Sequence, residues 1–153
     1  MKGKILHTLY ILVSAGVLLL LNGCIGNTVY HASTSLPEQE LNKRDTLSFS
    51  IDSLSSYSNL QLEVELRTQA TFPYQKLGLT VEQEWENGKT QKDRLTLPID
   101  WNKDTPSLFL NPTVSIPINI KDASGRGTIK IYHHMKRERL PGISDVGIRI
   151  SHD

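Results

Sequence analysis

"KLGLTVEQEWENGK" (Lys76 to Lys89) alternates apolar and polar residues and then breaks at Asn87-Gly88. Leu77, Leu79, Val81 and Trp85 share one parity, while Glu82, Glu84 and Glu86 share the other. Successive side chains of a strand point to opposite faces, so this pattern is a half-buried strand with a wet acidic face. Asn-Gly is the strongest short hairpin signal, because both central residues of a type I′ turn need positive φ.

The same period of two returns along the chain. Leu47, Phe49 and Ile51 form one set, and Leu60, Leu62, Val64 and Leu66 another. Leu95, Leu97 and Ile99 follow the Asn-Gly turn, and then Val114, Ile116, Ile118 and Ile120. Ile129, Ile131 and Met135 come next, and Val146, Ile148 and Ile150 close the series. Such runs are expected to be antiparallel strands with one face inward. "DASGRG" (Asp122 to Gly127) reads as a second turn. "LPGI" (Leu140 to Ile143) reads as a type II turn, with Pro141 setting φ and Gly142 free to take positive φ. Pro98 and Pro117 cannot donate to a ladder, which places their strands at sheet edges. No helical period appears beyond the N-terminal segment. Seven or eight strands at spacings of roughly ten to fifteen residues predict an all-β fold, one antiparallel two-sheet sandwich. Immunoglobulin-like and jelly-roll orders both satisfy the spacing.

The chain opens Met1-Lys2-Gly3-Lys4, followed by an apolar stretch from Ile5 to Leu21 that contains His7, Thr8, Tyr10 and Ser14. A bilayer core needs about 20 mostly apolar residues, so this stretch fits a secretory signal better than a span. Leu21-Asn22-Gly23-Cys24 then resembles a bacterial lipobox, with Leu three before the cysteine and a small residue directly before it. Cys24 is the only cysteine, so it cannot pair within the chain. It is expected to carry the lipid: the sulfur takes diacylglyceryl, the chain is cut after Gly23, and the new amine takes a palmitate-type acyl chain. Two or three chains hold a protein on a membrane far more firmly than one. Ile25 stands where an inner-membrane retention signal has Asp, and residues 25–29 carry no acidic cluster. The expected location is the outer membrane, facing the periplasm.

The expected layout is a signal peptide at 1–23, a lipidated cysteine and tether at 24–44, and the β-sandwich at 45–153. Within the tether, Ala32 to Arg44 is polar, and a flexible tether of about twenty residues reaches about 25 Å. Loss of Lys2 and Lys4 leaves 15 basic against 16 acidic residues in the 130 that remain. That balance offers no field to attract nucleic acid.

Chemistry-bearing constellations are sparse. His133-His134 are adjacent in a strand and point to opposite faces, and His31 and His152 lack metal-ligand spacing. "KRER" (Lys136 to Arg139) reads as a solvated basic loop. No nucleophile elbow or phosphate-cradling loop occurs. No catalytic residue, cofactor or metal is therefore expected, and no enzyme. Trp85, Trp101, Tyr57, Phe72 and Tyr74 could stack on a sugar, although core packing is the simpler role.

Four further stretches stand out: "VYHASTSLP" (Val29 to Pro37), "RDTLSFSI" (Arg44 to Ile51), "LEVELRTQATFPYQKLGLTVE" (Leu62 to Glu82) and "LPGISDVGIRI" (Leu140 to Ile150). Together they resemble the gliding-motility lipoprotein GldH family of Bacteroidota. Between the central strands and the C-terminal one the family has a longer Gly- and Trp-containing stretch; here Pro98 to Ile120 is shorter. The resemblance implies a membrane-anchored, non-catalytic component associated with gliding and, through other envelope proteins, with type IX secretion. Candidate partner-contact loops are Phe72-Pro73-Tyr74 and Leu140-Pro141-Gly142. A glycan-binding outer-membrane lipoprotein is the alternative.

Overall fold

The computed structural model describes residues 27–54, 59–99, 109–110, 112–118 and 125–152. Cys24, the signal segment, Tyr57, Trp101, Ile120 and Asp122 lie outside the described residues. The strands are β1 (Thr28–Ser35), β2 (Glu40–Asn42), β3 (Leu47–Ile51), β4 (Leu60–Gln69), β5 (Lys76–Trp85) and β6 (Thr90–Pro98). They continue with β7 (Phe109–Leu110), β8 (Thr113–Pro117), β9 (Gly127–His133), β10 (Arg139–Pro141) and β11 (Ile143–His152). A 3-10 turn at Pro37–Gln39 links β1 to β2.

One sheet has the order β1-β11-β4, with β7 and β8 both along the far edge of β4. The second has the order β3-β9-β5-β6, and β2 and β10 form a small ribbon. All pairings are antiparallel. The pairings nest: β5 with β6, then β4 with β7 and β8, then β3 with β9, then β1 with β11. A ribbon folded at the β5–β6 turn and rolled into two sheets gives this order, which is a jelly roll. The hairpin forms where Asn87-Gly88 predicts it, but not as a type I′ turn: Gly88 has φ +80 while Asn87 does not take positive φ, and Gly88 N–H donates to the Trp85 carbonyl at 2.9 Å.

Each alternating run supplies one strand's inner face. Leu62, Val64 and Leu66 of β4 and Val146, Ile148 and Ile150 of β11 are at most 1% exposed, and so are Leu77, Leu79 and Val81 of β5. Leu47, Leu95, Val114 and Met135 are half-buried at the margin of the same core. Pro98 and Pro117 are the last residues of β6 and β8, and both strands are sheet edges. Trp85 is buried, its ring over Gly127 of the neighbouring strand, where a side chain would collide with it.

The expected tether is corrected. Residues 28–35 pair with β11 from Thr28↔Ser151 to Ser35↔Asp145, with an irregularity between Thr28 and Tyr30. Leu36 and Leu41 are buried, and Glu40–Asn42 pairs with Arg139–Pro141. The sandwich therefore starts at 28 rather than 45. The physical reason is that β11 needs a partner on its second edge, and Tyr30 and Ala32 give β1 only a weak apolar face to serve that need. A tether would tolerate removal. Deleting residues 28–35 from the soluble domain is instead expected to abolish the cooperative urea transition followed by tryptophan fluorescence.

Candidate functional site

The two turns singled out in the sequence meet at one corner. Gln69 N–H donates to the Gly142 carbonyl at 2.8 Å, and Phe72 N–H donates to the Gln69 carbonyl at 3.0 Å. Gly142 N–H donates to the Gln39 carbonyl at 2.9 Å, which ties the 3-10 turn to the same point. Gly142 has φ +86, and a Cβ on it would lie 2.8 Å from Phe72 N and 2.9 Å from Phe72 Cα. Both the backbone conformation and the space demand glycine. Glu38 and Gln39 stand beside it with φ of 55° and 57°, a conformation that costs non-glycine residues energy. The Gln39 side chain is held by the Gln69 amide.

This geometry divides the candidate contact residues. Phe72, Leu140 and Gly142 are buried, so their surface is spent on the corner itself and they cannot touch a partner. Pro73 and Pro141 are exposed and Tyr74 is half-buried. Tyr74 meets Phe72 edge-on, ring centroids 5.5 Å apart at 66°. Arg139 next to the corner pairs with Glu40 at 2.9 Å and reaches Glu38 at 3.9 Å. The corner is a rigid, partly apolar knob with a charged rim.

A second feature was not visible in the sequence. On the outer face of the first sheet, β1, β11, β4 and β8 surround a cleft of about 310 Å³ lined by His31, Ser33, Glu65, Arg67, Thr113, Asp145, Gly147 and Arg149. Gly147 presents no side chain at the floor, where an added Cβ would come within 3.0 Å of the Ala32 carbonyl oxygen. His31 Nε2 lies 3.2 Å from Glu65 Oε2, and Arg149 bridges Glu65 and Glu63. Asp145 accepts hydrogen bonds from the Ser35 hydroxyl at 2.6 Å and the Ser144 hydroxyl at 2.8 Å, with Arg67 at 3.9 Å. The Ser35 hydrogen bond, helped by Ser144 and Arg67 and opposed by partial desolvation, holds the Asp145 carboxyl below its ordinary value. These carboxylates and cations neutralise one another, so the cleft suits hydrogen-bond exchange with a polar ligand. Its signal in the sequence was the outward parity of Glu63, Glu65, Arg67, Asp145 and Arg149. The cross-strand register that gathers them lay beyond sequence reading, and His31 sat in the supposed tether.

The remaining candidates are accounted for singly. His133 points inward and His134 outward, as adjacent strand residues must. His133 is buried, its Nε2 3.3 Å from the Glu138 carbonyl, and burial lowers its pKa. His134 covers Gly78 and lies 3.1 Å from the Thr80 hydroxyl. Among the described residues no group of three or more His, Cys, Asp and Glu side chains is placed to hold a metal ion. Glu82 pairs with Lys92 and accepts from the Tyr132 hydroxyl at 2.8 Å, and Glu84 pairs with Lys130 at 2.7 Å. The acidic face of β5 is thus a cross-strand ladder. Lys136 to Glu138 is an exposed loop, as expected, while Arg139 opens β10 and is ion-paired with Glu40. Trp85 and Phe72 belong to the core, so neither offers a face to a sugar.

Three substitutions check these readings. Gly142→Ala is expected to cost more than about 3 kcal/mol in urea unfolding, since overlap with Phe72 adds to the left-handed cost. Gly88→Ala, with nothing within 4 Å of its added Cβ, is expected to cost about 1–2 kcal/mol. Because the folded Asp145 pKa is lowered, its contribution is present above the ordinary carboxylate value and lost as pH falls through the folded one. Asp145→Asn is therefore expected to show a shallower fall in urea midpoint between about pH 6 and about pH 3 than the parent protein.

No curated protein matches the chain. Among solved structures, the family GH115 4-O-methyl-α-glucuronidase BtGH115A aligns at a TM-score of 0.51 and 14% identity over 82% of this chain. The chain spans 18% of that enzyme's length. A carbohydrate binding module from the family 9 glycoside hydrolase Cel9A of Ruminococcus flavefaciens FD-1 aligns at 0.47 and 16% identity, over 80% of this chain and 98% of the module. At these identities the first likeness is one of fold, and the second carries no argument. The family model described as GldH lipoprotein matches residues 28–150, from the first residue of β1 to near the end of β11. The chain belongs to the GldH lipoprotein family.

Proposed function

We propose that the protein is an outer-membrane lipoprotein of the gliding-motility and type IX secretion machinery, anchored through Cys24 and acting as a non-catalytic protein-interaction module. The observation that carries this reading is the GldH lipoprotein match across the whole sandwich, next to the lipobox-like Leu21-Asn22-Gly23-Cys24. Ile25 and the absence of an acidic cluster in residues 25–29 support the periplasmic side of the outer membrane. The exposed part of the corner, Pro73, Tyr74 and Pro141, supports a contact role. Its residues are held by backbone hydrogen bonds and close packing, so little ordering entropy is lost when a partner docks.

A second reading, a glycan-binding lipoprotein, draws support from the polar cleft rather than from the aromatic residues. Arg149→Ala with His31→Ala would then abolish retention on an envelope-glycan column, while the corner residues would be dispensable.

Two measurements test the leading reading. Cys24→Ala is expected to lose incorporation of labelled fatty acid and to leave the membrane fraction. A photo-crosslinking amino acid in place of Tyr74, activated in intact cells, is expected to capture envelope proteins. Recovery of the uncrosslinked monomer alone would count against the interaction role.

A further inference from the structure

We infer that the jelly roll is held on the bilayer by the end at which β1 begins, and carries the Phe72–Gly142 corner at the end facing away from the lipid. The inference rests on lipidation of Cys24 as proposed above, and adds to it an orientation.

The chain is pinned into the fold almost as soon as it leaves the anchor. The Asn27 carbonyl accepts from His152 N–H at 3.0 Å, and Thr28 pairs with Ser151. Three peptide intervals separate Cys24 from Asn27, and even fully extended they span only about 11 Å. The end of the sandwich that holds Asn27 therefore cannot leave the headgroup region by more than that distance.

Antiparallel register says what shares that end. Ser151 pairs with Gln61, Gln61 with Pro117, and Ile51 with Gly127, which also pairs with Trp85. Tyr30 near the start of β1 donates to the Ser50 carbonyl at 2.9 Å, so β3 ends where β1 begins. At the opposite end lie Ser35, Gln69 and Ile143, and with them the corner. β4 runs the whole way in ten residues, a rise of about 30 Å. The corner thus stands nearly three times farther from Asn27 than the anchor can stretch.

The broad faces compete only weakly with the short link for contact with the lipid. On the outer face of the first sheet Arg149 is matched by Glu63 and Glu65, and on that of the second Lys92 and Lys130 are matched by Glu82 and Glu84. Among the described residues the first face has no excess of cations, while the second adds exposed Lys76 and Arg94, a small surplus that would favour contact along that face.

The test uses the full lipidated protein in phosphatidylethanolamine–phosphatidylglycerol vesicles that contain a headgroup-nitroxide lipid. A fluorophore is attached at Gln61→Cys in one sample and at Pro73→Cys in another; both native side chains are exposed. The expected result is several-fold stronger quenching at 61 than at 73, with parent-like urea midpoints for both variants. Inserting about fifteen Gly and Ser residues after Ile25 is expected to remove the difference, because a flexible linker of that length lets either end approach. Equal quenching at 61 and 73 without the insertion, on protein that has incorporated labelled fatty acid, overturns the orientation alone. Protein that incorporates no label and stays off the vesicles overturns the anchor reading itself, and the orientation with it.

Discussion

Backbone pairing between the first and last strands joins the two ends of the folded chain, and the rest of the architecture leans on it. β11 is hydrogen-bonded on one side to β4 and on the other to β1. Its inward residues Val146, Ile148 and Ile150 are buried because both neighbours are present. Without β1 the sheet would have an open edge over its most apolar strand, and buried backbone groups left unpaired are costly. The same ladder fixes Asn27 three residues after Cys24, so a requirement of sheet closure also sets how near a membrane anchor would hold the domain.

The corner and the cleft illustrate two ways of building a surface. At the corner, turns seventy residues apart in sequence interlock through backbone hydrogen bonds and the missing side chain of Gly142, and only the leftover surface of Pro73, Tyr74 and Pro141 faces solvent. Rigidity comes from packing. In the cleft the scaffold is the flat ladder itself, and the polar parity of four strands supplies matched charges around a position with no side chain. Exposed pairs of this kind contribute about 0–1 kcal/mol each, so they order the surface more than they stabilise the fold.

Much of the fold was legible before any coordinates. Leu60 to Leu66, Leu77 to Trp85 and Val146 to Ile150 alternate because one face of each strand must be apolar and the other wet, and that rule acts within a few residues. Asn87-Gly88 and Pro141-Gly142 were legible because special backbone angles leave few residue choices. Residues 28–44 were misread as a tether because an edge strand with Tyr30, Ala32 and Thr34 on its inner side carries little local pattern. Phe72 and Leu140 were offered as contact residues because turns usually lie on the surface; here two turns bury each other's apolar residues.

What the sequence by itself determined is the β character, the parity of each strand, the positions of the tight turns and the membership signalled by its motifs. These follow from constraints between near neighbours: the pleat, the φ of glycine and proline, and the order of short runs along the chain. Only the tertiary structure decided between an immunoglobulin-like order and a jelly roll, brought His31 to Glu65 and Phe72 to Gly142, and drew the N-terminal segment into the sheet. Those outcomes depend on which strand edges pair across long separations, and a period of two says which way a side chain faces but not which strand lies beside it.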